Sequence, residues 1–130
     1  MADRKTPVRD GKKIALPLAA STVAEAGKMG AVNAAGYVVP ASNTAGLKVM
    51  GRIEEHVDNS NGAAGDLTVE ILRRSSFLFK NSTTSPVTQA DVGGNVMVED
   101  AETVAHAASN SIVAGKFLGF ESGGVWVEFQ

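Results

Sequence analysis

The chain has 130 residues and no cysteine. That excludes disulfides, thiolate metal sites, a cysteine nucleophile and a thiol redox motif. Aromatics are scarce, at five Phe, one Trp and one Tyr, so a core has to be built mainly from aliphatics. No apolar run approaches the roughly 18 residues that a bilayer-spanning helix needs. The first residues, Met1 to Thr6, carry charge with no apolar stretch behind them and do not read as a signal peptide. The expectation is a soluble protein that stays in the cytoplasm. Catalytic signatures are missing as well: there is no GxGxxG, no GxSxG elbow and no HExxH. Gly27-Lys28 and Gly115-Lys116 lack the earlier glycine and the following Ser or Thr of a phosphate loop.

What is present is β-branched. Val and Ile far outnumber Leu, and such side chains suit a pleated surface better than a helix. Fourteen Gly supply turns. Strand-like segments alternate with turn clusters, which predicts one all-β domain, a compact antiparallel barrel or sandwich. The expected strands are 13–20, 28–32, 37–40, 47–57, 67–72, 77–80, 96–99, 103–105, 112–120 and 125–129. Asn33-Ala34-Ala35-Gly36 should close a hairpin. Pro17 cannot donate to a ladder, so the first segment is either an edge strand or an extended segment. The Ala-rich stretch 19–29 is too weakly amphipathic for a helix, and Gln89 to Val92 suits one helical turn.

Parity sets the buried faces. Leu67, Val69 and Ile71 alternate with Thr68 and Glu70, and Val125, Val127 and Phe129 alternate with Trp126 and Glu128. These apolar residues, with Phe77, Phe79 and Phe117, form the expected core. Ile112 to Phe120 is apolar on both faces apart from Lys116, which predicts deeper burial for that strand. Trp126 falls on the face opposite Val125 and Val127, and the reading favours a subunit contact there.

The sequence also resembles itself. Val49-Met50-Gly51-Arg52-Ile53 matches Val113-Ala114-Gly115-Lys116-Phe117, and Leu67-Thr68-Val69-Glu70-Ile71 matches Val125-Trp126-Val127-Glu128-Phe129. The order is the same in both copies. Two similar β-hairpins, each with a glycine at a bend or bulge and a closing strand that pairs back, are expected.

The formal net charge of −2 hides an asymmetry. Residues 1–13 hold Arg4, Lys5, Arg9, Lys12 and Lys13 against Asp3 and Asp10, so a basic arm precedes an acidic body at 14–130. The arm is expected to be flexible, and its five cations are candidates for contact with a partner or a neighbouring copy.

Candidate chemistry is thin. Glu54, His56 and Asp58 share parity and could ligate a metal, although a solvated strand face accounts for them. Asp58 to Gly62 resembles a calcium loop, but its glycine stands at the fifth position and no Glu occupies the twelfth. His106 reads as a surface histidine. Arg73, Arg74, Phe77, Phe79 and Lys80 suggest a strand on which bases could stack, against the acidity of the body. No cofactor, metal or catalytic residue is expected, and no nucleic acid or membrane partner.

Several stretches together resemble the small capsid-decoration, or cement, proteins of tailed bacteriophages. They are Leu16 to Ala20 leading to Gly30 to Ala41; Val49 to Arg52 with Val57 to Ser60 and Gly62 to Gly65; Phe77 to Ser82 with Val87 to Gly93; and Val98 to Ala105 with Gly123 to Phe129. Their common order carries the likeness, which leaves the arm uncovered. The resemblance implies a non-enzymatic virion protein. It would be made in the host bacterial cytoplasm, bind the outer surface of the head and stabilise contacts between capsomers. Its partners would be the major capsid protein and copies of itself, a trimer before a dimer. Another virion part, such as a tail or head-fibre base, is the alternative, followed by a single-stranded nucleic-acid-binding barrel.

Overall fold

The computed structural model describes residues 2–7 and 9–129. Met1 and Val8, within the arm, and Gln130, at the end of the body, lie outside the described residues. Among the described residues the fold is all-β apart from a single 3-10 turn at Gln89–Asp91. Twelve strands run in chain order: β1 Lys13–Pro17, β2 Thr22–Ala24, β3 Met29–Val32, β4 Val38–Pro40, β5 Lys48–Ile53, β6 Val57–Asn59, β7 Thr68–Leu72, β8 Ser76–Asn81, β9 Asn95–Val98, β10 Thr103–Ala105, β11 Val113–Glu121 and β12 Gly124–Glu128.

Two five-stranded units follow one another. The first is a sheet in the order β1-β7-β5-β3-β4, and the second is a closed barrel in the order β10-β8-β12-β11-β9. Strands β2 and β6 pair with each other as a separate ladder. Neighbours are antiparallel, with one exception in each unit. Strand β8 runs parallel to β10, and a parallel bridge joins Leu18, just past β1, to Val38 of β4. That bridge brings the two edges of the first sheet together.

The units are the same motif twice. Strands β1, β3, β4, β5 and β7 have the neighbours that β8, β9, β10, β11 and β12 have, in the same chain order. The details agree. The ladder between β3 and β5 skips Met50, and the ladder between β9 and β11 skips Ala114. A Cβ at Gly51 would fall on the Leu72 carbonyl oxygen, and one at Gly115 on the Glu128 carbonyl oxygen. Only a glycine fits where two backbones approach so closely. The register refines the sequence match. Arg52 faces Leu72 and Lys116 faces Glu128, so the closing strands correspond two residues away from their sequence alignment, at unchanged parity. The first unit carries β2 and β6 as additions.

Alternation builds the interiors. Leu18, Val38, Ile53, Val69 and Ile71 fill the first unit, all fully buried. Val96, Val98, Val104, Phe117, Val125 and Val127 fill the second, with Phe77, Phe79 and Phe129 packed among them. Each such aliphatic contributes on the order of 1.5–3 kcal/mol through burial. Met29, Ala31 and Ala41 point the other way, out of the first unit, and are buried in the core of the second. The two units therefore share a continuous apolar interface. Two loops reinforce it: Asn110 Nδ2 donates to the Asn43 carbonyl at 2.8 Å, and Asn110 N donates to Asn43 Oδ1 at 3.0 Å.

Several expectations need correction. Leu67 is 41% exposed, because it precedes β7 and its carbonyl merely receives the Leu18 N–H. Val113, Leu118 and Phe120 are exposed too, so β11 is not buried on both faces. Register shifts in its ladders with β9 and β12 and an overhanging end turn those side chains outward. The long strand expected at 47–57 breaks at Glu54–His56 into β5 and β6. The Ala-rich stretch 19–29 contains the unexpected β2. Strand β1 begins at Lys13, whose Cα faces that of Leu72. The hairpin over Asn33 is as expected: its Oδ1 accepts from Ala35 N and Tyr37 N, both at 3.0 Å.

Candidate functional site

The repeat makes one surface stand out. On the outer face of the second unit, Leu78 of β8 lies opposite Trp126 of β12, which lies opposite Gly119 of β11, with Leu118 beside it. Leu78 and Leu118 are exposed, and Trp126 is half-buried. The corresponding row of the first unit is polar: Ala15 lies opposite Glu70, whose carbonyl receives Glu54 N at 3.0 Å. The fold tolerates a carboxylate at that position. An indole and a leucine there are choices the fold does not require.

Beside this row runs a trough of about 630 Å³, floored by Leu78 and Gly124 and walled by Ala26, Gly27, Gly123 and Glu102. A second hollow of about 460 Å³ continues it past Leu78 to Trp126 and Arg52. A side chain at Gly124 would collide with Leu78, so that glycine keeps the floor open. The tight turn before it, Ser122-Gly123, has φ of 50° and 80°, a primed hairpin that suits the strand twist.

Charges along the trough are mostly paired. Glu102 accepts from Lys80 Nζ at 3.0 Å and lies 3.4 Å from Lys28 Nζ, which also reaches Glu25 at 3.2 Å. The two ammonium groups, Lys80 first, lower the Glu102 carboxyl below its ordinary range, and Glu25 with Glu102 raises Lys28. Arg52 binds Glu54 at 2.8 Å and covers the Phe77 ring at 4.2 Å from its centroid. Glu121 and Glu128, also outward beside Trp126, make no ion pair among the described residues.

The structure places the arm cations at the surface. Arg4 Nη1 donates to Thr6 Oγ1 at 2.9 Å, a local contact. Arg4, Lys5, Arg9 and Lys12 make no ion pair among the described residues, and Lys13 lies 3.8 Å from Glu70. The arm enters the body at Gly11, whose carbonyl receives Arg73 Nη1 at 3.2 Å. Among the described residues no cation–π contact joins an arm cation to Trp126.

The other candidates disperse. Phe77 and Phe79 point inward, their ring centroids 5.5 and 5.7 Å from that of Phe129, so a stacking surface for bases is not built from them. Glu54 and His56 lie in the break between β5 and β6, and Asp58 lies beyond it in β6, so the strand parity that would have aligned the three is lost. No group of three His, Asp or Glu that could hold a metal occurs among the described residues. Asp58 instead receives Ser60 N at 2.9 Å, and Ser60 lowers its carboxyl. Neighbouring Asn59 is buried and donates to the Ala19 and Ala63 carbonyls. His106 Nδ1 lies 2.9 Å from Asp91 Oδ1, a partner that sequence separation concealed. The Asp91 carboxyl is lowered, first by the Thr88 N–H and then by His106. Leu78 was missed because its row shows only when strand registers are known.

No family model, curated protein or solved structure matches the chain. Among the described residues no helix is long and apolar enough to cross a membrane.

Proposed function

We propose that this chain is a non-enzymatic structural protein of a phage virion that binds the outside of the capsid shell and stabilises contacts between capsomers. The observation that carries the reading is where the adhesive groups lie. The apolar row of Leu78, Trp126 and Leu118 and the cations Arg4, Lys5 and Arg9 are all on the exterior of a closed β body. Such a surface suits adhesion to other proteins in many copies, where weak contacts sum to high avidity. Closure of the second unit also removes its free sheet edges, which in a protein needed at high copy number works against fibre formation. The order of segments that resembles decoration proteins supports the same reading.

The test is direct. Heads purified without this protein are mixed with it and sedimented, and the decorated particles are imaged. Saturable binding at fixed lattice positions on the outer shell is expected. Binding to tails and not to heads would favour the tail or fibre-base alternative, and no binding to either would overturn the assignment.

A further inference from the structure

We propose that the trough over Leu78, with the adjoining hollow over Trp126, receives residues 2–10 of a second copy of this chain, so that copies join by placing their arms on one another. This goes beyond the capsid reading and does not depend on it.

Three observations converge. First, the repeat breaks its own symmetry at this place. Trp126 stands where the first unit has Glu70, and Leu78 where it has Ala15, so the apolar row is specific to the second unit. Second, the occupant's chemistry is present in the chain. Arg4, Lys5 and Arg9 are exposed and make no ion pair among the described residues. A guanidinium stacks on an indole face, and aliphatic stems cover a leucine, while Glu128, opposite Lys116, and Glu121, opposite Gly124, place carboxylates on the same outward face two register positions from Trp126. Third, the arm leaves the body near the second hollow, which Ser76 lines together with Trp126. Gly11 packs against Arg73 and Arg74, two residues before β8 begins at Ser76, and Ser76 faces Glu128, two residues from Trp126. Nine extended residues span about 30 Å, enough to cross to a neighbour's trough. Because exit and receptor lie together, each copy can give an arm and receive one, a low-cost exchange that closes on itself. Within one copy the described arm makes local contacts, Arg4 to Thr6 and Lys12 N to Asp10, and leaves the trough uncovered.

Trp126 is the sole tryptophan, so its emission reports on the trough alone. Sedimentation velocity and emission spectra are recorded over a concentration series. Four samples are compared: the full chain, a chain lacking residues 2–10, the triple variant Arg4→Ser/Lys5→Ser/Arg9→Ser, and Trp126→Ala. The full chain should associate, with its emission shifting to the blue as it does so. The truncated and triple variants should stay monomeric, with no such shift. The triple variant changes exposed side chains alone, so it carries the test even if Trp126→Ala fails to fold. If Trp126→Ala folds, its arm should join the truncated chain's trough in a mixture, restoring the heavier species. A monomeric full chain, or association by the triple variant equal to that of the full chain, overturns the proposal. Head binding by the triple variant, measured separately, keeps a failure here distinct from a failure of the capsid assignment.

Discussion

At the scale of single residues, the two glycines under the paired bulges are the most constrained positions. Gly51→Ala would drive its Cβ onto the Leu72 carbonyl, and Gly115→Ala onto that of Glu128. Each should cost on the order of 1–3 kcal/mol by overpacking, and the two losses should be similar because the sites are equivalent. Thermal melts check this. A melt of Gly115→Ala equal to that of the unaltered chain would mean that the backbones relax apart. Val127→Asp is harsher, since Val127 is fully buried in the second unit. An unpaired buried charge costs several kcal/mol, comparable with the whole stability of a small domain, and that chain should fail to fold. Glu102 gives a pH dependence whose sign is fixed. Its folded carboxyl is lowered by Lys80 and Lys28, so its contribution is present above the unfolded value and lost as pH falls through the folded one. Glu102→Gln should therefore lessen, without removing, the loss of stability below about pH 4, which the lowered Asp58 and Asp91 share, and high salt should weaken the Glu102 share in the same direction. A variant that keeps the full acid slope would place that slope elsewhere. Residue-scale reading of the sequence was good where strands are regular. Val69, Ile71, Phe77, Phe79, Phe117, Val125, Val127 and Phe129 are buried as their parity required. It failed at Leu67, Val113, Leu118 and Phe120, where a strand end or a register shift breaks the two-residue period that parity depends on.

At the scale of elements, hairpins and long strands were legible and short pairings were not. Asn33 announced its turn because its side chain caps the hairpin it closes. Strands β2 and β6 were hidden because each has three residues, and their pairing depends on a loop that folds back to meet them. The duplication was visible in two strand pairs out of five. In the others, residues changed while neighbour relations persisted: Leu18 meets Val38 where Asn81 meets Val104. Asn81 is polar at a place where Leu18 is fully buried, because its side chain binds the main chain of Val87 through both Oδ1 and Nδ2. Asn81→Leu should therefore loosen the 82–88 loop more than it improves the barrel. Faster amide exchange at Val87 would show this, and unchanged protection there would refute it. The candidate surface was half legible. Trp126 drew notice as an aromatic on a polar face, and the arm as a run of cations. Their neighbours Leu78, Leu118 and Gly124 gain meaning only from the register of β8, β12 and β11.

At the scale of the whole molecule, the two units act as one folding body, because Met29, Ala31 and Ala41 of the first complete the core of the second. Units of about 60 residues bury too little surface to be secure alone. A single calorimetric transition with matching van't Hoff and calorimetric enthalpies is expected, and two separable transitions would contradict it. In the capsid role proposed above, a rigid body of this kind would transmit load between capsomers, and its attachment would rely on a segment that orders when it binds. The arm is therefore where truncation should separate folding from adhesion. It lies outside every strand up to Lys12, and among the described residues Arg4, Lys5, Arg9 and Lys12 hold no part of the body by ion pairs. Deleting residues 2–10 should leave the far-ultraviolet spectrum and the melting temperature nearly unchanged. Occupancy on purified heads should fall, whether the arm meets the shell directly or links neighbouring copies. Exposed charge pairs weaken beyond a Debye length of about 8 Å at physiological ionic strength, so the advantage of the full chain should shrink as salt rises. The truncated body should still bind through apolar contacts, more weakly and with little salt dependence. Full occupancy by the truncated chain across a salt titration would remove the arm from attachment and leave the barrel surface to account for it.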